Sequence, residues 1–171
     1  MCKKEKMDDV IFVKDFLPAD LILQIKKYIY RERPQTSNHS SWDQRIIKDS
    51  ARVEIFRLSD TEFKQQVINC YSNYFDINKY STTYLNYYKW LPGSFIPFHN
   101  DDSSSLASTI YLNESWDKDY GGLFLYEQDT EIKGYVPKYN SAVINKNNVS
   151  HSTSIISPTA PKRETLQIFF E

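Results

Sequence analysis

From Thr82 to the end, the chain divides into short runs of β-type composition at 82–90, 95–98, 106–112, 122–127, 132–136, 141–145 and 164–170, separated by turn residues. Upstream the period changes. Val10-Ile11-Phe12-Val13 reads as one short strand, and Phe16-Leu17-Pro18-Ala19-Asp20 enters a helix whose apolar residues Leu21, Ile22, Ile25, Tyr28 and Ile29 recur at helical spacing. Ser59-Asp60-Thr61-Glu62 has the pattern of a capping box, and the helix after it puts Phe63, Val67, Cys70, Tyr71 and Tyr74 on one stripe that reads as core. Residues 31 to 52 are polar and irregular. A run of helices followed by a run of antiparallel strands predicts an α+β fold, with the helices backing one face of a two-sheet β structure.

Composition bounds the rest. With 171 residues, 40% of them hydrophobic, the chain is expected to form one domain, 1–171, with helical support over about 1–80 and a β core over about 81–171. The 21 basic and 22 acidic residues nearly cancel, so no global field favours nucleic acid or a membrane surface as a partner. Cys2 and Cys70 imply no disulfide framework and suit a reducing, cytoplasmic setting. Met1-Cys2-Lys3-Lys4-Glu5-Lys6 does not lead into an apolar stretch, which argues against a signal peptide, and no span approaches transmembrane length.

The chemistry concentrates at His99-Asn100-Asp101. There are three histidines in all. On an extended segment residues i and i+2 share a face, so His99 and Asp101 can offer an imidazole nitrogen and a carboxylate oxygen to one ion, with His151 as a distant third ligand. Two neutral imidazoles and one carboxylate leave three octahedral positions open, the arrangement of non-haem Fe(II) sites. His39 lies in the polar run Thr36-Ser37-Asn38-His39-Ser40-Ser41 with no carboxylate two residues away, and reads as a loop histidine.

The segment around these residues resembles the iron- and 2-oxoglutarate-dependent dioxygenases, specifically the prolyl 4-hydroxylase-like branch. The matching residues are Tyr87-Tyr88 upstream of Gly93, Phe98-His99-Asn100-Asp101, Thr109-Ile110-Tyr111-Leu112-Asn113 with Trp116, Gly121-Gly122-Leu123-Phe124-Leu125-Tyr126, His151, and Arg163-Glu164-Thr165-Leu166-Gln167-Ile168-Phe169-Phe170. The likeness is strong over roughly residues 80 to 171 and holds only in outline before them. It implies a double-stranded β-helix, or jelly roll, with Fe(II) in the mouth of the barrel held by His99, Asp101 and His151. It also implies 2-oxoglutarate and O₂ as co-substrates and admits ascorbate as a reductant.

By the same resemblance, Arg163 takes the distal carboxylate of 2-oxoglutarate, with Thr165 as a hydroxyl donor on the same face and Lys162 as a competitor. Tyr88 and Tyr111 close the co-substrate pocket, and Asn86 and Asn113 have a weaker claim on it. Gly121-Gly122 reads as a turn without chemistry. Relatives that halogenate lack the carboxylate that Asp101 supplies, so its presence implies hydroxylation. The implied substrate is a peptide, protein or small molecule, with prolyl carbon, peptidyl or free, leading by analogy. The region from Arg31 to Arg57, with Trp42, Asp43, Arg45 and Arg52, is expected to form a lid. Two other readings stay open: a cupin-like metalloenzyme that does not use 2-oxoglutarate, and a non-catalytic jelly-roll binding module.

Overall fold

The computed structural model describes residues 9–33, 36–38, 50–59, 61–81, 83–101 and 106–171, with backbone alone at 36–38. His39, Trp42, Asp43, Arg45 and Cys2, read above as loop, lid and thiol positions, lie outside the described residues.

The alternating segments form strands, which pair into two sheets. β1 (Val10–Val13), β2 (Thr36–Asn38), β3 (Arg52–Arg57), β4 (Thr83–Trp90), β6 (Leu106–Tyr111), β9 (Ser141–Asn145) and β11 (Arg163–Phe170) form a seven-stranded sheet in the order β1-β9-β6-β11-β4-β3-β2. β5 (Ile96–His99), β7 (Phe124–Gln128), β8 (Glu131–Tyr135) and β10 (His151–Thr153) form a four-stranded sheet in the order β5-β10-β7-β8. Every pairing between these strands is antiparallel. The result is an α+β jelly roll with helices against one sheet.

α1 (Ala19–Arg31) and α2 (Glu62–Tyr71) lie on the outer face of the large sheet. Leu21, Ile22, Ile25 and Ile29 of α1, with Phe63, Val67, Ile68 and Tyr71 of α2, pack on Leu85, Tyr87, Leu106, Ile110, Leu166, Ile168 and Phe170. Because side chains alternate along a strand, Tyr88, Trp90, Tyr111, Arg163 and Thr165 point the other way, toward the small sheet. One face of each long strand is therefore core for the helices, and its other face is available to a site.

Three expectations change. The first eighty residues supply β2 and β3 besides the expected β1 and the helices, and all three strands join the large sheet. Residues 31–52, expected as irregular, contain β2 and the first residue of β3. The capping box does not form around Ser59: Thr61 stands at the helix start with its hydroxyl donating to Leu58 O at 2.6 Å, and Ser59 Oγ donates instead to Leu85 O at 3.3 Å. A long-range bond to β4 outcompetes the local one. Among the described residues no helix is long and apolar enough to cross a membrane.

Candidate metal centre

Strand register assembles the site. β10 pairs with β5 so that His151 lies directly opposite His99, and fifty-two residues of sequence separation collapse to a ring-centroid distance of 4.4 Å. β5 ends at His99, so Asp101 reaches the site from the loop just after the strand rather than from an extended face. His99 Nε2 stands 3.7 Å from Asp101 Oδ1, and His151 Nε2 stands 3.6 Å from Asp101 Oδ2. The ligand atoms of all three residues lie within 4.8 Å of one another.

The separations to the two Asp101 oxygens stand at or just beyond those around a divalent first-row ion. Ligand atoms about 2.1 Å from a common centre and about 90–120° apart are separated by roughly 3.0–3.6 Å. The proton arrangement fits such an ion. His99 Nδ1 lies 2.8 Å from Pro97 O and His151 Nδ1 lies 2.9 Å from Val149 O. A carbonyl only accepts, so each Nδ1 carries the hydrogen and each Nε2 presents a lone pair toward Asp101. Burial holds the His151 pKa below its ordinary value, opposed by Asp101 and assisted by His99, which keeps the imidazole in the neutral form that a metal requires. Pro97 is tolerated in β5 because β5 is an edge strand.

The three ligands open into a solvent-connected cleft between the sheets, with a cavity of about 50 Å³. Its lining includes Tyr111, Thr109, Phe124, Asn145, Arg163 and Gln167. Arg163 is only 2% exposed. Its Nη1 donates to Gly122 O at 2.6 Å, its guanidinium stands 5.5 Å from the Trp90 ring centre and 5.6 Å from that of Tyr111, and its Nε has no hydrogen-bond partner. Among the described residues no carboxylate pairs with it. Lys162, by contrast, faces outward and pairs with Glu54 at 2.7 Å.

The other expected residues divide. Tyr111 lines the cleft, and burial pushes its hydroxyl up to about 12, with Arg163 pulling the other way, so it remains a donor. Thr165 and Tyr88 sit in one cross-strand rung with Tyr111 but do not line the cleft. Thr165 Oγ1 accepts from Trp90 Nε1 at 3.1 Å, and the Tyr88 hydroxyl accepts from Asn86 Nδ2 at 3.3 Å. Asn113 serves the backbone, donating to Lys162 O and accepting from Glu164 N–H, which holds the start of β11 against β6.

Several residues around the cleft were given no role from the sequence. Trp90 stands opposite Arg163 in the register of β4 and β11. Gln167 and Thr109 face the cleft from adjacent strands, and Asn145 and Asn148 surround the ligands. Gly122, read as a turn without chemistry, is where a Cβ would stand 3.2 Å from Arg163 Cδ and Nη1. The asparagine-rich run before His151 was the available clue.

No family model matches the sequence, and no curated protein does. Solved structures match throughout. A prolyl-4-hydroxylase from Pseudomonas putida superposes with a TM-score of 0.75 at 18% identity, over 96% of this chain and 94% of that one. A prolyl hydroxylase from Trichoplax adhaerens, solved with a peptide fragment of the hypoxia inducible factor oxygen degradation domain, gives 0.72 at 12% identity over 96% and 84%. An oxidoreductase of the 2OG-Fe(II) oxygenase family from Burkholderia pseudomallei gives 0.67 at 12% identity over 95% and 84%. The chain therefore has the jelly-roll fold seen in prolyl hydroxylases and other 2OG-Fe(II) oxygenases.

Proposed function

We propose that this chain is an Fe(II)- and 2-oxoglutarate-dependent dioxygenase that hydroxylates a C–H bond, with prolyl carbon, peptidyl or free, as the leading substrate. One observation carries the reading: a complete two-His, one-carboxylate set and a buried guanidinium without a carboxylate partner share one cleft. A buried cation without a counter-charge is unfavourable, so such a position calls for an anionic ligand. 2-Oxoglutarate has a metal-chelating 2-oxo acid at one end and a carboxylate at the other.

His99, Asp101 and His151 would hold the iron, leaving coordination positions free. The bound iron supplies the redox chemistry that couples O₂-dependent decarboxylation of 2-oxoglutarate, to succinate and CO₂, with hydroxylation of the substrate. The protein's residues bind and orient. Arg163 neutralises the distal carboxylate, Tyr111 donates its retained proton within the same pocket, and Trp90, hydrogen-bonded to Thr165, packs against the Arg163 guanidinium. The carbonyls of Pro97 and Val149 fix the imidazole tautomers, and Phe124, stacked on His151 with ring centroids 5.4 Å apart, keeps that ring in place.

Support for a peptide comes from the rest of the cleft, where Thr109 and Gln167 offer neutral donors and acceptors and Phe169 an apolar wall. The peptide carried by the Trichoplax adhaerens structure points the same way. Iron-loaded protein should release succinate faster when proline-containing peptides or free proline are added, with product gaining one oxygen by mass. Succinate release that responds to neither, but does respond to another compound, would retain the dioxygenase and replace its substrate. Turnover of a product without 2-oxoglutarate consumption would replace the dioxygenase reading itself.

A further inference from the structure

The turn that joins β9 to β10 touches both arms of the metal centre. Asn148, at φ +51°, accepts the Asp101 N–H on its Oδ1 at 2.6 Å, while its main-chain carbonyl accepts from Asn100 Nδ2 at 2.6 Å. Asn145 closes the turn on itself: its Oδ1 accepts from Val149 N–H and its Nδ2 donates to Val149 O, both at 2.9 Å. That same Val149 carbonyl accepts the His151 Nδ1 hydrogen. The turn is tied on its far side to the start of β1, with Lys146 N–H donating to Asp9 O at 2.8 Å and Asn147 Nδ2 to Asp9 Oδ1 at 2.6 Å.

Asp101 needs such a support. It lies past the end of β5, outside any ladder, so strand pairing that fixes His99 against His151 does not reach the third ligand. A residue at position 148 must tolerate left-handed backbone and offer an acceptor at short reach, and asparagine does both. We propose that Asn148 and Asn145 are positioning residues of the metal centre, so that one asparagine-rich turn sets the spacing between the Asp101 carboxylate and the distal imidazole. Asn148 acts through Asp101, and Asn145 acts on His151 both through the Val149 carbonyl and directly, its Nδ2 standing 3.3 Å from His151 Nδ1. This rests on the reading of His99, Asp101 and His151 as metal ligands.

Asn148→Gly isolates the contact, because glycine adopts the left-handed backbone without cost and keeps the main-chain carbonyl that receives Asn100. Co(II) titration of the full chain, followed by the visible bands of the bound ion, reads affinity without turnover. Removing an outer-shell partner weakens metal binding by about 10–100-fold, and that loss is expected for Asn148→Gly. Asn148→Asp, which retains the acceptor oxygen and adds an anion near the cation, should bind Co(II) at least as tightly as the wild type. In an Asp101→Ala background, Asn148→Gly should cost no more than about twofold further, since its effect passes through the ligand already removed. A merely structural role would cost the same in both backgrounds. Co(II) affinity unchanged in Asn148→Gly, or equal losses with and without Asp101, would overturn the inference while leaving the metal site standing. A wild-type protein that takes up no Co(II) would overturn the metal site and the inference together.

Discussion

Arg163 shows most sharply how one residue ties stability to function. Its guanidinium is buried against two aromatic rings and one carbonyl, and the remaining stabilisation has to come from an anion. Arg163→Met should therefore leave the ligand-free protein at least as stable in thermal denaturation, while raising the KM for 2-oxoglutarate strongly. Lys162→Met should leave that KM unchanged, because Lys162 faces Glu54 at the surface. A reversal of these two results would shift the assignment by one residue. Sequence could not choose between them by charge alone. Strand parity does, since Arg163 stands opposite Trp90 on the inner face and its neighbour must then face out. His99, Asp101 and His151 were legible as a set because H-x-D is local and a second histidine was available downstream. The way Asp101 is held was not, since it depends on a turn forty-seven residues away.

At the scale of elements, the strands with clear alternation were the easy ones. β10 is three residues of His, Ser and Thr, too short and too polar to show a period, and exists because β5 and β7 bind it on both sides. β3 reads Arg-Val-Glu-Ile-Phe-Arg, where Phe56 breaks the alternation because it packs toward the helices while Val53 and Ile55 pack toward the small sheet. The connection into β7 has the tightest backbone requirement. A Cβ on Gly121 would meet the Ile155 carbonyl oxygen at 2.0 Å, at φ +67°, whereas one on Gly122 would meet only side-chain atoms at 3.2 Å, at φ +62°. Both positions lie at positive φ, which alanine adopts at a cost of roughly 1–3 kcal/mol. Gly121→Ala should lose more stability in denaturant titration, because backbone cannot step aside. Gly122→Ala should show its excess effect in 2-oxoglutarate affinity, through the displaced Arg163. Equal stability losses with unchanged affinity would contradict the role given to Gly122.

For the whole molecule, the order of helices and then strands was enough to reach the architecture, because two amphipathic helices and a run of short alternating strands have few ways to bury both apolar faces. The contribution of the first sixty residues to the large sheet was not legible, since β1 and β3 find their partners β9 and β4 far along the chain. That closure places the helices behind one sheet and the cleft between two, so ligand binding should be felt by the entire fold. Iron with 2-oxoglutarate at about 100 times its dissociation constant adds about 2.7 kcal/mol. For a chain of this size that corresponds to a rise of roughly 5–10 °C in the unfolding midpoint. Metal without the co-substrate should give a smaller rise, and Arg163→Met should lose the increment that 2-oxoglutarate adds.

The most direct measurement is an anaerobic titration of the metal-free protein with Fe(II) and then 2-oxoglutarate, following the weak visible charge-transfer band of the chelate. Wild type should develop the band only after both are added, His99→Ala should bind no iron and show none, and Arg163→Met should need far more 2-oxoglutarate to reach it. Tight iron binding with no band at any 2-oxoglutarate concentration would contradict the account and point to a metalloenzyme of different chemistry.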